Sequence, residues 1–194
     1  IIYQLDISQQ SIRSRQSSEV NVDFLVSDRN GFERQALLQW QRGIHSKLML
    51  TVMLIHVKGL EDIDSPETSS LDKGTFDKGT LDKETLQRAA HVLSSSVEQD
   101  GGFFAHYSDN TFAAVFPDKG EPSAVIASEN CIISISKQSL QKLSVVGPLS
   151  LAIGLASMQP ISGTEVSHLV EKAKQALQLA DSNVGNKITW LDAS

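Results

Sequence analysis

The sequence predicts an α/β domain in which a mixed central sheet is flanked by helices. Dense apolar runs typical of buried strands alternate with stretches whose apolar residues recur at helical spacing. Two further strand-like runs adjoin a short polar turn, which indicates a β-hairpin. We therefore expect the order helix, strand, helix, hairpin, helix, strand, helix, strand, with a split βαβ core built around the hairpin.

The first predicted elements follow a polar lead-in. Residues 1–21 are rich in Ser, Gln and Arg without a sustained period, so we interpret them as a connector and residues 22–194 as the domain. Apolar residues at helical spacing then predict an amphipathic helix: Phe32, Ala36, Leu37, Trp40 and Ile44. The run 48–57, LMLTVMLIHV, predicts a strand that is buried on both faces.

An acidic repeat follows this strand. Residues 71–85 are three consecutive copies of one five-residue unit, LDKGT, FDKGT and LDKET, which is too short for a solenoid repeat. We interpret residues 61–85 as an expanded surface loop entering a helix; the alternative is a loop that binds a partner or a cation. This segment holds eight acidic and three basic residues, so it carries −5 of the net charge of −6.

The second half of the chain contains the predicted hairpin and the remaining alternation. A helix is expected from Leu86, and the hairpin strands flank a turn at residues 108–110. Residues 122–143 fit either a helix or a strand, because their apolar spacing is helical while many of them are β-branched. A buried strand over 149–156, a helix over 166–180 and a strand over 187–191 complete the prediction.

Several function classes have no support in the sequence. It contains no nucleophile elbow, P-loop, dinucleotide fingerprint or HExxH motif, and no apolar stretch long enough for a membrane span. The single cysteine, Cys131, excludes an internal disulfide and is expected to pack as a small apolar residue. His56 and His106 are candidate ligands or catalysts, although ordinary structural roles are the simpler interpretation. The chain begins at Ile1 rather than Met, so we expect it to be part of a longer protein.

A set of short motifs occurs in a specific order. The strand end LIHVKGL (54–60) is similar to L-L-D-I-D-x-F, and HYSDNTF (106–112) aligns with R-x-G-G-D-E-F. Residues 23–30 are similar to an opening D-x-L-T-x-L-x-N segment, and residues 150–156 are similar to a V-S-I-G-V-A strand. Residues 173–177 are similar to an A-D-x-A-L helix, and Asn186 fits the Asn of a closing G-R-N. In this order the motifs resemble the GGDEF (diguanylate cyclase) family, over about residues 23–191.

The resemblance implies a chemistry that this chain has lost. In the family, Mg²⁺ assists the joining of two GTP molecules, and carboxylates from the strand end and from the signature hold the metal. The strand-end metal position is His56 here, and the later Asp of that motif is Lys58. The GGDEF signature itself is replaced by Ser108, Asp109, Asn110 and Thr111, and it keeps only its last residue, Phe112.

Other positions implied by the resemblance are altered as well. The guanine-reading residues fall near Asp64 and Lys83, and the residues that clamp phosphate correspond to Asp181 and Gly185. The inhibitory product site, R-x-x-D, lacks both of its named residues, which are Gln99 and Gly102 here. We therefore expect no catalytic residues, no bound metal and no cofactor. The alternatives are a nucleotide sensor for GTP or cyclic-di-GMP that does not turn over its ligand, and an active diguanylate cyclase.

The resemblance also suggests a context. Degenerate members of the family act as regulatory, scaffolding or dimerisation modules between an upstream sensor or membrane region and a downstream EAL domain. The hairpin and residues 185–192 look like those of CsrD-like bacterial regulators, which promote the turnover of small RNAs. We expect a cytoplasmic domain of a protein anchored to the inner membrane, with protein partners or neighbouring domains and the option of a homodimer. The acidic balance gives no strong sign of direct nucleic-acid binding.

Overall fold

The computed structural model describes residues 26–59, 83–141, 149–183 and 185–193. Within these ranges the predicted order of elements is confirmed. The elements are α1 (Arg29–Ser46), β1 (Leu50–Lys58), α2 (Lys83–Gln99), β2 (Phe103–Ser108), β3 (Thr111–Pro117), α3 (Glu121–Gln141), β4 (Ser150–Met158), α4 (Val166–Asp181) and β5 (Lys187–Asp192).

The five strands form one mixed sheet in the order β2-β3-β1-β4-β5. The central strand β1 is antiparallel to both of its neighbours, β3 and β4, while β4 and β5 are parallel. Because β2 and β3 are also antiparallel, β2 runs parallel to β1 with β3 between them. This is the split βαβ arrangement that the sequence predicts.

Helices cover both faces of the sheet. Alternate side chains of β1 enter two separate apolar cores, as expected for a strand covered on both sides. One core lies under α2 and α3 and includes Met53 and Ile55; the other lies under α1 and α4 and includes Val52 and Leu54. The predicted α/β sandwich is confirmed.

The structure also decides the segment that the sequence left open. Residues 121–141 form α3, whose buried residues recur every three or four positions: Ala124, Ala127, Cys131 and Ile135. Helical burial against the sheet therefore outweighs the strand preference of the β-branched residues. At another boundary, α2 begins at Lys83, so the last three residues of the segment predicted as a loop, 83–85, belong to its first turn. The lead-in 1–21 and the rest of the repeat segment lie outside the described residues.

A close approach between β4 and α4 fixes the second half of the sheet. A Cβ atom at Gly154 would lie 2.2 Å from the backbone nitrogen of Leu177 and 2.5 Å from the carbonyl oxygen of Ala173. Only glycine lets the helix backbone pack at this distance from the strand.

Among the described helices, none has the length and apolarity that crossing a bilayer requires.

Candidate functional site

The candidate site lies where β1 ends beside the β2–β3 turn. The β1–β3 register places His56 opposite Thr111, and the backbone nitrogen of Val57 donates to the carbonyl oxygen of Asn110 over 3.0 Å. This ladder fixes the turn against the end of the central strand. The strand-end motif and the signature motif, far apart in sequence, therefore meet at one edge.

Two residues at positions that the resemblance assigns to metal binding form a hydrogen bond with each other. The Nδ1 atom of His56 and the hydroxyl oxygen of Thr111 share a hydrogen bond of 3.0 Å, and both side chains are half-buried. In the family pattern both positions carry carboxylates. Here a ring and a hydroxyl occupy them and satisfy one another.

The turn between the two strands contains one residue in an unusual backbone conformation. Asp109 has φ 39°, in the left-handed region that favours glycine, and its carbonyl oxygen accepts a hydrogen bond from Nε2 of His106 over 2.8 Å. Ser108 and Asp109 are both exposed, whereas Asn110 is buried. The carboxylate of Asp109 is therefore placed where the family has a bare glycine backbone.

Phe112, the one retained signature residue, has a structural role. It is fully buried, and its ring stacks on Phe104 of β2 with centroids 5.2 Å apart. It belongs to the core under α2 and α3. Its packing holds the two hairpin strands to the body of the domain.

An ion pair joins two further altered positions. Nζ of Lys58 lies 3.6 Å from a carboxylate oxygen of Asp181 and donates to the carbonyl oxygen of Asn183 over 2.8 Å. The Lys58 side chain is only 14% exposed. Relative to the family pattern the two charges have exchanged places, because the acid is now on α4 and the base is at the strand end.

The remaining nucleotide positions are dispersed. Lys83 is exposed at the first turn of α2, and Asp64 lies outside the described residues. Gly185 has φ 77° in the connection from α4 to β5. The side-chain oxygen of the next residue, Asn186, accepts a hydrogen bond from the backbone nitrogen of Leu151 over 2.8 Å, which ties this connection to β4.

The predicted inhibitory-site positions lie at the other end of β2. Gln99 is exposed at the end of α2. A Cβ atom on Gly102 would lie 2.5 Å from the Phe116 ring and 2.7 Å from a methyl group of Val97. Because both neighbours are fully buried, this position has no room for an acidic side chain.

Cys131 behaves as the sequence analysis expects of a buried thiol. It is fully buried on α3. Burial raises the pKa of its thiol to about 11, while a hydrogen bond with Ser96 lowers it and the charge of Asp100 raises it further. The thiol therefore stays protonated at neutral pH, which is the opposite of what a nucleophile requires.

The residues at this edge do not fit a hard divalent cation. Mg²⁺ takes carboxylate, carbonyl and water oxygens in near-octahedral geometry. The strand-end position offers an imidazole, which suits softer metals, and the signature offers an amide and a hydroxyl. In the described parts of the chain, no three His, Cys, Asp or Glu side chains come together in a group suited to a metal ion.

Two contacts at the site cannot be read from the sequence. The motifs show the changes at His56, Lys58, Thr111 and Asp181 as separate losses. In the structure His56 contacts Thr111, and Lys58 contacts Asp181. The opposite charges at two altered positions were the available signal for the ion pair. Nothing in the sequence alone brings residues 58 and 181 together, since their contact depends on the sheet order.

Several solved GGDEF domains share this fold. The coiled coil and GGDEF domain of DgcB from Caulobacter crescentus, in complex with c-di-GMP, matches with a TM-score of 0.66 at 16% identity, covering 95% of each chain. The active GGEEF domain of a diguanylate cyclase from Vibrio cholerae matches with a TM-score of 0.65 at 16% identity, covering 87% of this chain and 98% of that one. The FimX GGDEF domain from Pseudomonas aeruginosa matches with a TM-score of 0.63 at 15% identity, covering 86% and 94%.

At these identities the structural matches show a common fold and leave chemistry aside. A search of curated proteins found no match. The family model described as "Diguanylate cyclase, GGDEF domain" matches residues 80–187, which is more than half of the chain. The signature motif on the hairpin and the motifs on β4 and α4 lie within that range, whereas the motifs at residues 23–30 and 54–60 precede it. The chain therefore belongs to the GGDEF domain family.

Proposed function

We propose that this GGDEF domain does not synthesise cyclic-di-GMP and acts as a regulatory and scaffolding module in a larger bacterial signalling protein. The observation that carries this proposal is the hydrogen bond between His56 and Thr111 at two positions where the family pattern has carboxylates. An imidazole bonded to a hydroxyl offers no negative charge to a metal ion. Phosphoryl transfer of this type depends on such ions to offset phosphate charge.

The ion pair between Lys58 and Asp181 supports the same proposal. An ammonium group that is already neutralised by a carboxylate and bonded to the Asn183 carbonyl is a poor phosphate ligand. Asp181 itself adds negative charge where the family clamps phosphate. A nucleoside triphosphate that bound here would have to break the ion pair between Lys58 and Asp181. It would also have to overcome the repulsion between its phosphates and the Asp181 carboxylate.

The product-binding site supports a scaffold over a sensor of cyclic-di-GMP. Inhibition by cyclic-di-GMP in the family needs an arginine and an aspartate, and Gly102 packs against Phe116 and Val97 at the aspartate position. Three separate sites (metal, phosphate and product) are therefore altered, each in a way that fits its new neighbours.

The context of the domain is part of the proposal. We infer a CsrD-like parent, anchored to the inner membrane, with an upstream sensor region and a downstream EAL domain. In that setting the domain would relay a signal or hold the parent in a dimer. This explains why the fold is retained while the nucleotide site is not.

The activity assay is direct. The purified domain, incubated with GTP and Mg²⁺, should yield no cyclic-di-GMP, with an active family member as the positive control. Restoring the signature alone (Ser108→Gly, Asp109→Gly, Asn110→Asp, Thr111→Glu) should leave the domain inactive, because His56, Lys58 and Asp181 remain. Synthesis by the wild-type domain would overturn the proposal.

Calorimetry with GTP and with cyclic-di-GMP distinguishes the sensor alternative. We expect no heat of binding from either nucleotide, and clear micromolar binding would favour a ligand sensor over a scaffold. In the full-length protein, site variants such as His56→Ala should leave the regulated output unchanged. Gly154→Val, which disrupts the fold, should abolish it; the opposite pattern would contradict a scaffolding role.

A further inference from the structure

The outer face of α1 carries cations and leucines that the domain leaves uncovered. Arg34, Leu38 and Arg42 recur at steps of four residues, so they lie along one side of the helix. The buried residues Phe32 and Trp40 lie on the opposite side, which packs on the sheet. The outer side therefore presents guanidinium groups and an apolar side chain together to the solvent.

The charge of this segment has one sign. Residues 34–48 contain Arg34, Arg42 and Lys47 and no acidic residue, so they carry +3 in a chain whose net charge is −6. All three side chains are exposed, and within the described ranges none of them forms an ion pair. The domain itself therefore leaves these positive charges uncompensated.

Exposed apolar side chains are concentrated in the same segment. Of the seven large apolar residues that are exposed in the described parts of the chain, three lie within twelve residues: Leu37, Leu38 and Leu48. A convex helix with three half-exposed leucines is a small surface for a stable protein partner, which buries about 800 Å² on each side. It suits a broad, flat partner that is both anionic and apolar.

We propose that the outer face of α1 docks on an anionic membrane surface. Arg34 and Arg42 bind headgroup phosphates, for which a guanidinium group is a strong charge-assisted donor. Leu37 and Leu38 enter the boundary between headgroups and acyl chains. Each cation near such a surface raises the affinity about fivefold, so the contact is weak alone and orients a domain that a second anchor holds nearby.

The opposite side of the domain does not combine the same features. Helix α3 also exposes two isoleucines, Ile126 and Ile133. Its exposed charges include two acids and one base: Glu121, Glu129 and Lys137. An anionic surface would repel this helix, so the charge pattern favours α1 as the docking face.

Cosedimentation of the whole 194-residue chain with lipid vesicles tests the proposal. Vesicles of phosphatidylcholine with about 30% phosphatidylglycerol should bind at least about thirtyfold more tightly than pure phosphatidylcholine. Raising NaCl from about 0.05 to about 0.5 M should release most of the bound chain. Equal binding to both vesicles, or binding to neither, would overturn the proposal.

Charge-reversal variants locate the contact. Arg34→Glu combined with Arg42→Glu should weaken binding to the anionic vesicles at least about thirtyfold, because two attractions become two repulsions. The matched control is Arg88→Glu combined with Lys137→Glu, which makes the same change of net charge on α2 and α3. These helices cover the other face of the sheet, so the control should weaken binding less than about threefold. Equal losses would show that net charge alone matters and would overturn the proposal.

Apolar variants separate a membrane from other polyanions. Leu37→Ala combined with Leu38→Ala should weaken vesicle binding about tenfold, because less apolar surface enters the interface. Ile126→Ala combined with Ile133→Ala is the matched control and should leave binding unchanged. An unchanged affinity in the leucine variant would exclude insertion.

A short single-stranded RNA, compared per phosphate at the same salt concentration, tests the nucleic-acid alternative. It should bind at least about tenfold more weakly than the anionic vesicles, because it offers no apolar layer for the leucines. Tighter binding to RNA would assign the face to nucleic acid and overturn the proposal. Circular dichroism confirms that each variant is folded. Vesicle binding does not depend on cyclic-di-GMP synthesis, so either proposal can fail without the other.

Discussion

The contact between β4 and α4 keeps residues of the family motifs, whereas the edge where β1 meets the hairpin turn does not. At the first, Gly154, Ala173 and Leu177 match the family motifs and pack backbone against backbone. At the second, the acidic positions of those motifs have become His56 and Thr111, which bind each other. The comparison separates residues that specify the fold from residues that carried the chemistry.

The difference follows from what each region requires. A helix that lies within van der Waals distance of a strand tolerates only the smallest side chains, so any change there affects stability. A half-exposed edge requires only that polar groups find partners, and many residue pairs meet that condition. Substitutions at the edge therefore leave the fold intact.

The largest effect is expected at the β4–α4 contact. Gly154→Ala should lower the free energy of unfolding by at least about 3 kcal/mol, because the new methyl group would overlap the backbone of α4. Gly120→Ala is the matched control, since no atom lies within 4 Å of a Cβ atom there, and it should change stability by less than about 0.5 kcal/mol. Urea denaturation measures the free energy of unfolding of both variants. Equal changes would show that the close packing of β4 against α4 does not restrict residue 154 to glycine.

The next largest effect is expected within the signature, where substitutions at Phe112 and at Thr111 should differ in their cost to the free energy of unfolding. Phe112→Ala should cost about 3–4 kcal/mol, because it removes a fully buried ring that stacks on Phe104. Thr111→Val should cost only about 1 kcal/mol, the value of one hydrogen bond to His56. Thermal unfolding measures the loss of stability in each variant. A larger loss for Thr111→Val than for Phe112→Ala would show that the polar contact matters more than the packing.

The thiol of Cys131 should make stability depend on pH in alkaline solution. Its pKa is raised from about 9 to about 11 in the folded chain, so the unfolded state ionises first and stability falls as pH rises through this window. Relative to Cys131→Ala, the wild type should lose about 2 kcal/mol between neutral pH and about pH 10.5. If the stabilities of the wild type and of Cys131→Ala changed equally with pH over this range, ionisation of the Cys131 thiol would be excluded as the cause.

The smallest effect is expected from the ion pair. A double-mutant cycle with Lys58→Ala and Asp181→Ala should give a coupling energy below about 1 kcal/mol, because the Asp181 side chain is 45% exposed and solvent screens its charge. The coupling should weaken in high salt. A larger, salt-independent value would show that the pair contributes substantially to the stability of the fold.

Much of the fold could be predicted because each element carries its own pattern. The strand over β1, the hairpin and the helix α4 are each specified by local apolar spacing. The segment that became α3 could not be assigned, because its isoleucines favour strands locally and only burial against the sheet decides for a helix.

The candidate site was predictable in part for the same reason. Which residues are altered can be read from the motifs, residue by residue. That His56 binds Thr111, or that Lys58 pairs with Asp181, depends on strands and helices that are distant in sequence. Such contacts depend on tertiary structure, and local patterns do not contain them.

The position of β1 at the centre of the sheet has a consequence for biosynthesis. Leu50 pairs with Pro117 on one side and with Met158 on the other, so the second edge of β1 stays open until β4 has left the ribosome. Contacts between such distant parts of the chain slow folding, and an open apolar edge favours intermolecular pairing. A nascent chain that ends before β4 would thus present its most apolar strand as a template for aggregation.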